Sequence, residues 1–223
     1  MRLHDIVFLF DVDNTLLDND RVITDLHSHL EHNFGAKTRD RYFAIFEQLR
    51  GELGYADYLG ALQRLRLESL DDPCVVATSF FLLDYPFERR LYPRALQALA
   101  HARTLGTTVI LSDGDVVFQP RKVRRSGLWD AVEGRVLIYI HKEQMLADVE
   151  RHYPARRYVM VDDKLRILAA MKAVWGNRLL TVFPRQGHYA LDPNNTGAYP
   201  SADLTIERIG DFVECEWFGP PSA

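Results

Sequence analysis

Short apolar runs rich in β-favouring side chains recur along this chain, and most are separated by one helix-length stretch. The first is Ile6-Val7-Phe8-Leu9-Phe10, and later ones occupy 107–111, 136–140, 158–161 and 178–183. Runs apolar on both faces belong to strands covered on both sides, which is the condition of a parallel sheet. Helical patterns at 93–105, 118–125, 142–152 and 164–175 alternate with them, and Gly106, Gly127 and Gly176 stand where helices would close. Alternation with short connections predicts an α/β fold, a doubly wound parallel sheet with right-handed crossovers. A short last strand near Leu204-Thr205-Ile206 should precede a C-terminal helix.

Residues 18–88 break this rhythm. Ile23, Leu26, Leu30 and Phe34 fall at helical spacing, as do Tyr42, Phe46, Leu49 and Leu53, then Tyr58, Leu62 and Leu65, with a fourth helix over 75–83. No strand signal interrupts them. The chain therefore divides into an α/β core of 1–17 and 89–223 and an inserted all-helical unit of 18–88. The insertion leaves the core beside the loop after the first strand, a position suited to a lid that keeps water from chemistry.

Composition narrows the class. With 223 residues, 47% of them hydrophobic, the chain can bury a substantial core. A net charge of −4 and a pI near 6.1 give no electrostatic footprint for nucleic acid or an acidic membrane surface. The first strand starts within a few residues of Met1 and no apolar run has the length of a membrane span, so a cytoplasmic protein is expected. The two cysteines, Cys74 and Cys215, form no CxxC and no disulfide framework and are expected in the core.

The ends of the strands carry the chemistry. Asp11-Val12-Asp13 follows the first strand, Ser112-Asp113 the second, Lys142 the third and Asp162-Asp163 the fourth. Open α/β sheets bind ligands beyond the carboxyl ends of their strands, so these groups should meet at one rim. A lone Asp there is commonly a turn former or helix cap. Two pairs converging are another matter, because like charges about 4 Å apart repel by roughly 4 kcal/mol at an effective dielectric of about 20. Such a rim requires a cation, raised pKa values, or both, and hard oxygen ligands with room for water and phosphate select Mg²⁺. An EF-hand is excluded, since its Gly and terminal acidic positions hold Leu16 and Val22. His27, His29 and His32 share no clean face for zinc.

Asp11-Val12-Asp13-Asn14-Thr15-Leu16, then Ser112, Lys142 and Asp162-Asp163, resembles the four ordered motifs of the haloacid dehalogenase-like hydrolase superfamily, and 18–88 sits where that family carries a C1-type helical cap. The resemblance covers the core from residue 1 to about 183 and implies a Rossmann-like sheet. It implies Asp11 as the nucleophile that forms an aspartyl-phosphate and Asp13 as general acid and base. Mg²⁺ would be held by Asp11, the Asp13 main-chain carbonyl and Asp163, with Asp162 as a neighbouring or additional ligand. Ser112, Asp113 and the amides beside them would meet phosphoryl oxygens, and Lys142 would neutralise nucleophile and phosphate.

Two positions depart from the pattern. Asn14 replaces the usual Gly, and Asn also tolerates positive φ; Ile167 stands near where another acidic residue is common. An acid at position 13 favours phosphate esters over carbon–halogen bonds, because a departing halide needs no proton. The expectation is a Mg²⁺-dependent phosphatase of a small phosphorylated metabolite. The alternatives are a phosphomutase on the same core, a 2-haloacid dehalogenase, or a binding protein without catalysis. The basic stretch Gln119, Arg121, Lys122, Arg124 and Arg125 reads as a solvated helix face, and Arg185-Gln186-Gly187-His188-Tyr189 as a surface loop at the same rim.

Overall fold

Along the first strand, side chains go alternately to two cores. The computed structural model describes residues 4–68, 73–215 and 217; positions 69–72 of the expected insertion and the end of the chain lie outside the described residues. In β1 (His4–Phe10), Phe8 and Phe10 join one apolar cluster while Val7 and Leu9 join the other. That two-sided burial demands helices on both faces, and they are present. Chain order continues with α1 (Asn19–Leu53), α2 (Tyr58–Glu68), α3 (Pro73–Asp84), α4 (Ala95–Leu105), β2 (Thr107–Asp113), α5 (Phe118–Arg125), α6 (Leu128–Ala131) and β3 (Val136–Tyr139). It proceeds through α7 (Leu146–His152), β4 (Ala155–Val161), α8 (Leu165–Trp175), β5 (Leu179–Pro184), α9 (Gly187–Leu191), α10 (Pro193–Thr196) and β6 (Leu204–Ile206).

All strands are parallel, in the order β3-β2-β1-β4-β5-β6. This is the doubly wound Rossmann arrangement, and the strand order reverses at β1, between β2 and β4. The crevice outside the carboxyl end of β1 is therefore the place the topology offers a ligand. Ala98, Leu99 and Ala102 of α4 press on one face; Leu168, Met171 and Trp175 of α8 press on the other. No helix among the described residues is long and apolar enough to cross a membrane.

The helical segment leaves and returns at one point. Asp18 N–H donates to the Arg90 carbonyl at 2.7 Å, Tyr92 N–H to the Leu16 carbonyl at 2.9 Å, and Leu17 bridges Leu91. Its first helix begins with Asp18 accepting from Arg21 N–H at 2.9 Å and ends at Gly54, whose φ of 78° supplies the left-handed cap. The two apolar stripes expected at 23–34 and 42–53 lie on two helical segments of Asn19–Leu53, separated at Gly35, whose φ of 84° and ψ of 162° are non-helical and kink the chain. Leu26, Leu30, Tyr42, Phe46 and Leu49 are buried as the stripes require, whereas Leu53 at the end is exposed. Cys74 is fully buried and Cys215 half-buried.

Some boundaries depart from the sequence expectation. The helix expected over 142–152 starts as a 3-10 turn at Lys142–Gln144 and becomes α-helical only at Leu146. β3 stops at Tyr139, and Ile140 is exposed. The expected C-terminal helix is a 3-10 segment, Ile209–Glu214. The stretch Arg185–Tyr189, read as a surface loop after β5, runs into α9 at Gly187.

Candidate active site

The turn after β1 is held by its own backbone and braced from across the sheet. Leu16 and Leu17 N–H both donate to the Val12 carbonyl at 2.9 Å, and Asn14 N–H donates to the Leu17 carbonyl at 2.7 Å. Asn14 takes the left-handed conformation, φ 59°, as its tolerance for positive φ allows. Its side-chain oxygen accepts from Asn19 and Asp20 N–H at 3.0 and 3.2 Å, so one residue shapes the turn and caps the helix after it. From beyond β5, buried Gln186 donates to the Thr15 carbonyl at 2.7 Å and the Asn14 carbonyl at 3.2 Å. Thr15 Oγ1 accepts the Asp163 N–H at 3.1 Å, tying the first loop to the fourth.

This framework brings the predicted carboxylates together. One oxygen each from Asp11, Asp162 and Asp163 lies within 4.8 Å of the others, all three side chains buried. Lys142, also buried, reaches Asp11 Oδ1 at 2.5 Å and Asp162 Oδ2 at 2.7 Å. Asp162 Oδ1 accepts the Lys164 N–H at 2.9 Å at the start of α8. Asp163 differs: among the described residues neither of its carboxylate oxygens has a hydrogen-bond partner, and Asp11 Oδ2 has none either. Burial, the largest cause, pushes the Asp162 and Asp163 carboxyls upward, with their neighbouring carboxylates adding to it. Burial alone would lower Lys142, but Asp11, Asp162 and Asp113 outweigh it and keep the ammonium charged.

Three carboxyl groups face two ammonium groups, Lys142 and Lys164, the latter also held charged by Asp163 and Asp11 against its burial. Partnerless buried oxygens of this kind cost about 1–3 kcal/mol each, more when charged, and a hard divalent cation would satisfy them. Asp11 and Asp163 thus fit a Mg²⁺ ion, with Asp162 already engaged by Lys142.

Ser112 Oγ stands 3.5 Å from Asp11 Oδ1 and accepts from Gln119 Nε2 at 3.0 Å. Asp113 Oδ1 accepts the Lys142 N–H at 2.7 Å, and burial raises its pKa. Its carboxylate thus anchors the lysine's main chain. The neighbouring Gly114 N–H already donates to the Tyr139 carbonyl at 2.9 Å.

Asp13 has a partner that the sequence did not reveal. Lys122 Nζ donates to Asp13 Oδ1 at 2.7 Å, Asp13 Oδ2 at 2.9 Å and Asn19 Oδ1 at 3.0 Å. The lysine side chain has no solvent exposure, while that of Asp13 retains 27%. The ammonium lies 5.1 Å from the Phe118 ring centroid and 5.8 Å from that of Tyr58. The supposed solvated face of α5 is therefore corrected: Gln119 and Lys122 are buried, while Arg121 and Arg125 turn outward to Asp84 and to carbonyls at the end of α3. The one available signal was an apolar Phe118 and Val123 at positions flanking Lys122 on a short helix.

The histidines at 27 and 29 are packing groups: His27 stacks on Phe43 at 3.6 Å and His29 on Phe81 at 4.3 Å. Beside Asp13 and Lys164 opens a cavity of 630 Å³ between the rim and the helical segment, reaching Phe43, Arg50 and Tyr55.

A family model described as haloacid dehalogenase-like hydrolase matches residues 7–174. A haloacid dehalogenase-like hydrolase structure from Burkholderia xenovorans LB400 is 68% identical, covering 96% of this chain and 97% of its own, with a TM-score of 0.92. Two more distant structures share the fold. L-2-haloacid dehalogenase from Xanthobacter autotrophicus, with chloropropionic acid covalently bound, is 18% identical, covering 93% of this chain and 96% of that one at a TM-score of 0.61. The HAD-hydrolase YfnB from Bacillus subtilis bound to magnesium is 14% identical, with 96% and 98% coverage and a TM-score of 0.59. No curated protein sequence matches.

Proposed function

This chain belongs to the haloacid dehalogenase-like hydrolases, and from that premise we propose that it is a Mg²⁺-dependent phosphatase of a small phosphorylated metabolite. The observation that carries the reading is the state of Asp11: Oδ1 is fixed by Lys142 at 2.5 Å, while Oδ2 is buried without a partner beside the two free oxygens of Asp163. One carboxylate is thus pinned on one side and open on the other, as a nucleophile sharing a cation requires. Asp11, Asp163 and the Asp13 main-chain carbonyl would hold Mg²⁺, which when bound supplies positive charge to the phosphoryl oxygens.

Each chain residue then has a defined task. Asp11 attacks phosphorus and the ester oxygen departs, leaving an aspartyl-phosphate; water attacks that phosphorus and frees Asp11 and phosphate. Lys142 offsets the charge of nucleophile and phosphate as they approach. Ser112, itself oriented by Gln119, offers its hydroxyl to a phosphoryl oxygen. Asp13 must enter the reaction as the neutral carboxyl, not as the ionised partner of Lys122, to give a proton to the departing oxygen; it later takes one from the attacking water. A carboxyl at that place serves alcohol leaving groups, which favours phosphate esters over 2-haloacids.

Asp11→Asn should remain folded and release no phosphate from p-nitrophenyl phosphate, and EDTA should remove wild-type activity that added Mg²⁺ restores. Near-wild-type turnover by Asp11→Asn, or activity indifferent to chelation, would defeat the assignment. Isomerised phosphorylated product in place of free phosphate would turn the reading to a mutase.

A further inference from the structure

The cavity beside Asp13 exceeds what a phosphoryl group and two or three carbons fill, and one of its walls is aromatic. Its 630 Å³ falls within the roughly 300–1,000 Å³ of pockets that enclose ring-sized organic ligands. Asp13, Gln119 and Lys164 line one part of it; Ile23, Phe43 and Phe46 line another. A ladder of rings joins the two parts. Phe118, beneath Lys122, meets Tyr58 at 5.0 Å; Tyr58 meets Phe46 at 4.8 Å; Phe46 meets Phe43 at 6.2 Å. Phe43 is half-buried and carries the His27 ring on it at 3.6 Å and 10°. Burial lowers the pKa of His27, favouring the neutral imidazole, which adds flat surface more than charge. Arg50, paired with Glu47 at 2.7 Å, and Tyr55 give the same cavity polar edges.

We propose that this cavity selects phosphate monoesters whose alcohol carries an aromatic or heteroaromatic ring, seated against the stacked Phe43 and His27 rings while the phosphoryl group lies at Asp11. The proposal rests on the phosphatase reading and names its substrate class. Ring-on-ring stacking is tolerant of the identity of the ring, because each heterocycle offers a π-face; donors and acceptors at Arg50, Glu47 and Tyr55 then discriminate among rings.

The test compares esters that share a primary-alcohol leaving group and differ in the ring. Ribose 5-phosphate is set against uridine and adenosine 5′-monophosphates, and propyl phosphate against benzyl phosphate, with phosphate release measured in Mg²⁺. The ring-bearing ester should have a kcat/KM about 10-fold higher or more in at least one pair, the scale of one stacking face. Phe43→Ala should collapse that ratio, and Phe43→Leu, which keeps apolar bulk and guards against misfolding, should lower it as well. Equal kcat/KM within both pairs overturns the inference and leaves the phosphatase reading standing, as does a ratio unchanged in both variants. Release from none of the esters, nor from p-nitrophenyl phosphate, overturns the two together.

Discussion

Replacing Asp13 should damage stability as well as turnover, because of what it leaves behind. In Asp13→Ala the Lys122 ammonium loses acceptors at 2.7 and 2.9 Å and keeps only Asn19 Oδ1 at 3.0 Å. Its side chain has no solvent exposure to fall back on. Removing one partner of a buried ion pair costs about 3–5 kcal/mol because the other charge is stranded. Retention of Asn19 and of the Phe118 and Tyr58 ring faces argues for the lower end, about 3 kcal/mol. For a chain of this length that lowers Tm by about 6–12 °C. The reverse change is milder: in Lys122→Met, Asp13 keeps 27% side-chain exposure and can be hydrated from the cavity, while the thioether packs on the two rings. The double variant should regain most of the loss, so the two substitutions couple by about 2 kcal/mol. Urea unfolding in EDTA buffer measures all four corners of the cycle. An Asp13→Ala protein melting within about 2 °C of wild type, or strict additivity in the double variant, would refute the reasoning.

Added Mg²⁺ should raise Tm in wild type, by about 2.7 kcal/mol of stability at a hundredfold excess over Kd, and Asp163→Asn should lose that response; an equal Mg²⁺ shift in both proteins would rule out Asp163 as a ligand. Asp25 accepts from Tyr85 Oη at 2.5 Å and Arg90 Nη2 at 2.6 Å, and these donors prevail over burial to hold its pKa below the usual value. A depressed folded pKa contributes stability above the unfolded value that is lost as pH falls through the folded one. The stability gap between wild type and Asp25→Asn should therefore be full near neutrality and close only in acid below the ordinary carboxylate range; a pH-independent gap would contradict this. Gly187 has φ +76°, and an added Cβ would lie 2.5 Å from that of Asn14. Gly187→Ala should cost about 1–3 kcal/mol in backbone strain alone and lower kcat by shifting the Asn14 turn; wild-type melting and turnover would show that the turn yields freely.

The strands were legible because burial on both faces leaves an unbroken apolar run, and the rim residues were legible because each follows such a run. What could not be read were contacts made by short polar helices. Lys122 and Gln119 sit in a sequence dominated by basic residues, and the turn of α5 that buries them is decided by Tyr58 and Asn19 far away in the chain. Gln186 was assigned to a surface loop, yet it is buried against the Thr15 and Asn14 carbonyls. Lys142 was placed correctly after β3, but its 3-10 turn was not foreseen, since Asp113 fixes its backbone from a neighbouring strand. Position 14 behaved as its φ preference suggests and turns the loop, whereas the break at Gly35 between the first two helical stripes was not foreseen.

The placement of β1 in the middle of the sheet bears on how this chain is made. Its neighbours, β2 and β4, are synthesised roughly 100 and 150 residues after it. At about 5–20 residues per second on the ribosome, Val7 to Phe10 wait roughly 8–30 s for both edges to be covered. Over that interval the sticky N-terminal segment needs shelter, either from the helices emerging behind it or from a chaperone. Slowed translation across 18–88 would lengthen the wait and should send more of the newborn protein into inclusion bodies.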